Sequence, residues 1–106
     1  HQALCGCEPE MALDIIWPRL GMANLKSAYW RPEQGPEAEF ATWKPYWTDA
    51  RHGQASWPRF IAELKRRGYG HNHDGIVCLT AEYSDEERVE ALVTQDLAVA
   101  KALFAQ

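Results

Sequence analysis

The sequence predicts an α/β fold built on two parallel strands, and three observations carry that expectation. Two apolar stretches, Gly21 to Tyr29 and Ile76 to Glu82, have strand character. An amphipathic helix opening at Ser56 lies between them, and a strand–helix–strand unit joins parallel neighbours by a right-handed crossover. A further helix follows the second strand. The expected order is helix, strand, long loop, helix, strand, helix.

The first helix spans Pro9 to about Arg19. Pro9 suits a first helical position, Glu8 and Glu10 suit the positive end, and Pro18 stops it. Met11, Ala12, Ile15 and Ile16 give its apolar stripe. The strand from Gly21 to Tyr29 places Met22, Asn24 and Lys26 on one face. Polar residues in mid-strand mean that this face lines a site or that Lys26 marks an exposed strand end. Residues 30–55 read as a long irregular loop punctuated by Pro32, Gly35, Pro36, Pro45 and Gly53. Its Phe40, Trp43, Tyr46 and Trp47 call for a packing partner. Ser56 caps the next helix with Pro58 in its first turn. Phe60, Ile61 and Leu64 face the core, and Lys65, Arg66 and Arg67 precede the terminating Gly68. The stretch GIVCLTAEYSDEE then delivers a buried strand ending in Glu82 and a capping box, Ser84 with Glu87, at the start of the last helix. That helix runs to about Phe104, with Val89, Leu92, Val93, Leu97, Ala100, Leu103 and Phe104 on its apolar face.

The 106 residues allow one small domain. Lys and Arg number 11 against 15 Asp and Glu, a net charge of -4, which argues against a protein built to hold nucleic acid. No apolar run reaches the roughly 20 residues of a membrane span. Three sparse cysteines, Cys5, Cys7 and Cys78, suit a reducing, cytoplasmic setting. Cys5-Gly-Cys7 lacks a second ligand pair for zinc. His71-Asn72-His73-Asp74 is the most ligand-rich cluster, but it lies in a helix-to-strand turn, at the end of the sheet opposite the chemistry.

SWPRFIAELKRRGY, followed by an apolar strand ending in Glu and a final helix, resembles the C-terminal end of sugar phosphate isomerases and epimerases, which are xylose isomerase-like TIM barrels. MANLKSAYW looks like the seventh barrel strand and GIVCLTAEY like the eighth. HQALCGCEPEMALDIIWPRL looks like the loop and helix after the sixth. The resemblance covers essentially the whole chain and about the last third of such a (β/α)8 barrel. It implies a partial barrel whose remaining strands lie elsewhere, inactive by itself.

It also implies a divalent metal ion (Mn, Mg, Co or Zn), bound by carboxylates and a histidine at the C-terminal strand ends, and a sugar or sugar phosphate as substrate. Glu82 matches the glutamate of the eighth strand, as a metal ligand and one of the carboxylates that move a proton through an enediolate. His1 matches the histidine of an Asp-x-x-His motif. The family's His-x-Lys reads Asn24-Leu25-Lys26 here, so Lys26 is retained and Asn24 stands as a neutral oxygen ligand suited to a hard ion. Lys26 would steady the enediolate oxygen. Arg51 and His52, on the loop before the Ser56 helix, and the aromatic Trp43 and Trp47 would contact substrate.

Two rival readings remain. One is a barrel relative without metal that serves as a binding or interaction protein, which Asn24 favours. The other is an apurinic-endonuclease-like phosphodiesterase, which would need more His and Asp ligands and a basic groove. Two strands alone should leave apolar surface uncovered, so self-association, including a homo-oligomer, is expected.

Overall fold

Ala23–Leu25 (β1) and Val77–Leu79 (β4) run parallel, pairing Ala23 with Val77, Asn24 with Cys78 and Leu25 with Leu79. This pair is the centre of a computed structural model describing residues 2–71 and 74–106. The chain is an α/β protein with the helices Pro9–Ile16 (α1), Trp57–Arg66 (α2) and Val89–Ala105 (α3). The expected strand-loop-helix-strand-helix order holds, with one addition inside the loop.

The addition is a hairpin. The strand expected over Gly21 to Tyr29 divides at Lys26: β1 ends at Leu25, and Ser27–Pro32 (β2) begins a second ladder. β2 pairs antiparallel with Trp43–Thr48 (β3), from Ser27 opposite Thr48 to Pro32 opposite Trp43. Residues 30–55 are therefore not an irregular loop. The expected packing forms only in part: Tyr46 stands opposite Tyr29 with ring centroids 5.4 Å apart, while Phe40 and Trp43 stay exposed. Cross-strand aromatic pairs of this kind stabilise a hairpin. Pro45 fits because β3 is an edge strand, with no third strand among the described residues to call for the N–H that proline lacks. At the division the Lys26 carbonyl accepts the Trp57 indole N–H at 3.4 Å.

Two small cores lie beneath the parallel pair. Leu25, Trp57, Ile61 and Ala100 form one, joined by Val77, Leu79 and Leu103. Leu13, Ala23 and Leu64 form the other, with Trp17, Phe60 and Tyr69 against them. α2 packs on both α1 and α3 and so links the cores. Its start is as expected: Ser56 Oγ accepts the Arg59 N–H. Gly68, at φ +75°, follows it in the left-handed conformation that glycine adopts without strain. α1 corrects the expected stripe. It buries Leu13, while Met11, Ile15 and Ile16 face outward, and its last turn tightens into a 3-10 turn at Trp17–Arg19.

The end of the chain departs most from expectation. β4 stops at Leu79, three residues short of Glu82. Ser84 caps no helix: its Oγ accepts the Trp47 N–H and its own N–H donates to the Trp47 carbonyl, both at 2.9 Å. A long-range exchange with β3 has displaced the local capping box. α3 then starts from a 3-10 turn at Glu86–Arg88. It buries Leu92, Asp96 and Ala100, while Leu97 is exposed. No helix among the described residues is long and apolar enough to cross a membrane.

Candidate functional site

Parallel strands deliver their C-terminal ends to one edge, and ligands of α/β proteins gather beyond that edge. Here the residues just past β1 and β4 are Lys26 and Thr80 to Glu82. The β2–β3 hairpin rises from the same edge, because β2 begins immediately after Lys26. The turn after β3 is tied back to it: the Gln54 N–H donates to the Ala28 carbonyl at 2.8 Å and the Ala55 N–H to Ser27 Oγ at 3.1 Å. Gly53 makes that return possible. A Cβ there would lie 1.9 Å from Ser27 Oγ.

The sequence candidates fall into three places. Asn24 is exposed and lines a groove of about 370 Å³ together with Lys26, Trp57 and Met22. Lys26 is half-buried, with its ammonium 4.1 Å from the centre of the Trp47 ring, a cation–π contact that holds the charge on the hairpin. Trp47 and His52 line a second, larger cleft of about 550 Å³ between the hairpin and the start of α3. Glu82 lines neither of these. It is exposed and has no hydrogen-bond or ion-pair partner among the described residues. Its position is set by Ala81, the one described non-glycine residue with positive φ, at 57°. That left-handed residue breaks strand alternation, so Glu82 does not continue either face of β4. Trp43 and Arg51 are exposed. His1 lies outside the described residues, as do Asn72 and His73 of the rejected cluster.

The second cleft holds the strongest local geometry. Thr48 ends β3, Asp49 follows it, and His52 Nδ1 lies 2.6 Å from Asp49 Oδ1. The Asp49 side chain is 3% exposed and that of His52 71% exposed. The carboxylate fixes one ring nitrogen and leaves Nε2 for whatever enters from solvent. The walls are Tyr29 and Tyr46 on the hairpin and Arg88, Leu92 and Gln95 on the opposite side. Residues 88, 92 and 95 recur at helical spacing, which presents them together. Behind this wall Asp96, also buried, accepts the Ala50 N–H at 3.0 Å through Oδ1 and the Tyr83 hydroxyl at 2.7 Å through Oδ2. Burial, and then this hydrogen bond, push the Tyr83 hydroxyl pKa well up, so it stays a donor.

Neither buried aspartate stood out in the sequence. Asp96 carried a usable signal, since Leu92, Asp96 and Ala100 recur every four residues and set a carboxylate in the apolar stripe. Asp49 had only the spacing Asp-x-x-His, hidden in a segment read as irregular loop.

Among the described residues, no three His, Cys, Asp or Glu side chains come together as a group that could hold a metal ion. Glu82 and Asn24 by themselves do not provide the ligand set of a divalent ion. No family model matches the sequence, and no curated protein or solved structure is significantly similar to it.

Proposed function

We propose that this chain is the C-terminal part of a (β/α)8 barrel of the sugar or sugar-phosphate isomerase/epimerase type. The observation that carries this reading is the convergence at one sheet edge. Two parallel strands with α2 between them in the chain end at one edge, with Lys26 directly after β1 and Glu82 three residues after β4, and Lys26 meets Trp47 of the hairpin. The outward apolar residues agree with a larger barrel. Met22 and Ile76, just before β1 and β4, and Met11 and Ile15 on α1 are all exposed, as surfaces that meet neighbouring barrel elements would be.

In this reading the Glu82 carboxylate takes a proton from the carbon beside the substrate carbonyl and returns it to the former carbonyl carbon, while the hydroxyl proton of the first carbon passes to the former carbonyl oxygen; inversion at one carbon would need a second acid on the opposite face. The carbonyl oxygen becomes an enediolate oxygen in between, and the Lys26 ammonium neutralises its charge. Trp47 keeps that ammonium on the hairpin until substrate arrives. A divalent ion belongs to the same proposal. Its ligands would have to include groups beyond those described, and no step above depends on it.

A second reading rests on one observation. Asn24 stands where the resembling family carries a histidine, and among the described residues Glu82 belongs to no group of three His, Cys, Asp or Glu side chains. That arrangement suits a sugar-binding relative without catalysis. Deuterium exchange separates the two. The full-length protein carrying this chain is incubated with aldoses, ketoses and their phosphates in D2O, and loss of the carbon-bound proton is followed by NMR. Exchange is expected, and Glu82→Gln should slow it by about 100-fold or more. Binding without exchange would leave the non-catalytic reading. Exchange indifferent to Glu82→Gln would remove Glu82 from the mechanism.

A further inference from the structure

The two buried aspartates differ in a way that points to a ligand. Asp96 has a donor for each carboxylate oxygen, Ala50 N–H on Oδ1 and Tyr83 hydroxyl on Oδ2. Asp49 does not. His52 Nδ1 and the Thr48 hydroxyl, at 2.6 and 3.2 Å, both meet its Oδ1. Oδ2 has no donor among the described residues, although the side chain is 3% exposed. A buried carboxylate oxygen without a donor is costly, and native proteins leave one mainly where something else supplies the hydrogen bond. Asp49 lines the 550 Å³ cleft, so a ligand there is within the same enclosure.

The rest of the lining states what kind of ligand would fit. Tyr29 and Tyr46 form an aromatic wall, tilted 47° to each other. Arg31 stacks over the Tyr46 ring at 4.3 Å and stiffens that wall. Across from it Gln95 and Arg88 offer donors, and Leu92 provides an apolar patch. An aromatic wall on one side and directed polar groups around the edge suit a ring that has C–H faces and hydroxyl edges. We propose that this cleft binds the sugar ring, with a ring hydroxyl donating to Asp49 Oδ2 and His52 Nε2 bonded to a neighbouring hydroxyl. The inference rests on the sugar-handling reading above and moves the main binding contacts from the strand ends to the hairpin.

D-fructose and D-fructose 6-phosphate are the probes, titrated into the full-length protein by calorimetry and ligand-observed NMR. Asp49→Asn, His52→Gln and Tyr46→Leu should each weaken binding by about tenfold or more, as expected for loss of a charge-assisted bond or an aromatic wall. A parallel loss with both probes assigns the contacts to the ring. Loss with the ester alone would make the cleft a phosphate site and overturn the proposal. Circular dichroism checks that each variant is folded. If buried Asp49→Asn is not, the exposed His52 and half-buried Tyr46 variants decide. Unchanged affinity in those variants, with deuterium exchange still abolished by Glu82→Gln, would refute the cleft and keep the isomerase reading. Failure of both probes to bind the folded wild-type protein would refute the cleft proposal, while the deuterium exchange described above decides the isomerase reading separately.

Discussion

The bond between Tyr83 and Asp96 allows a quantitative test of how the cleft is held. Asp96 is 1% exposed and sits on α3, yet both its partners come from loops, Ala50 after β3 and Tyr83 after β4. Tyr83→Phe removes one of two donors to a carboxylate that water cannot reach. A hydrogen bond to a charged group is worth about 1.5–3 kcal/mol, and Tyr83 is itself half-buried, so a loss of about 1.5–2 kcal/mol is expected. Asp96→Leu behaves differently. It orphans the Ala50 N–H and the Tyr83 hydroxyl, at about 1–3 kcal/mol for a buried group, but also relieves the desolvation of a buried charge. The hydroxyl has partial access to water, so the net cost should be about 1–3 kcal/mol. Once Asp96 is gone, Tyr83→Phe should cost almost nothing. The coupling energy in the double-mutant cycle is therefore about 1.5 kcal/mol, read from urea unfolding at fixed protein concentration. Hydrogen exchange adds a local readout: the Ala50 amide should lose protection in Asp96→Leu and keep most of it in Tyr83→Phe. Additive stabilities, with Ala50 protected in all variants, would show that Asp96 does not connect the two loops.

Three other outcomes follow from the packing and charges. Leu64→Ala, at a fully buried position joining α2 to α1, should destabilise by about 2–5 kcal/mol, and calorimetry or urea titration would show it. Glu63 is held down to about 2 from an ordinary 4.5, first by the Arg66 hydrogen bond and then by Arg67, against an opposing desolvation. A depressed carboxyl stabilises the fold above its unfolded value. That contribution should fade as pH falls from about 4.5 toward 2, and Glu63→Gln should flatten the acid limb of a stability–pH curve. Sedimentation should find the 106-residue chain by itself self-associating through its exposed Met11, Ile15, Met22 and Ile76; a monodisperse monomer with cooperative unfolding would contradict that.

The parts legible in the sequence were those governed by local rules. Ser56 caps α2 because side-chain capping needs only three residues of context, and Gly68 ends it for the same reason. The parallel pair followed from two apolar stretches separated by a helix. Local rules failed where a distant segment offered more. Ser84 had every attribute of an N-cap, yet both its backbone N–H and its hydroxyl serve Trp47 instead. The hairpin was hidden because proline and glycine punctuation in residues 30–55 reads as loop, while the deciding contacts pair Tyr29 with Tyr46 across the chain. Among the residues singled out in the sequence, Trp47 and His52 line the hairpin cleft and Lys26 the other groove, but Asp49 needed the fold to reveal its burial. The exposed stripe of α1 is the reverse case: its apolar periodicity was correct and its orientation was not.

The one-residue interruption at Lys26 has a consequence for how this sequence can change over generations. Residues 23–32 run through two ladders with opposite partners, and the side of the hairpin reached by each side chain is counted from that interruption. An insertion or deletion at position 26 would turn Ala28 and Trp30 toward the cleft in place of Tyr29 and Arg31, because strand side chains alternate. Residues 33–42 impose no such count. Lengthening that exposed connection leaves every pair from Ser27–Thr48 to Pro32–Trp43 in register. Length variation among natural variants should therefore collect at the hairpin tip and be absent at its root.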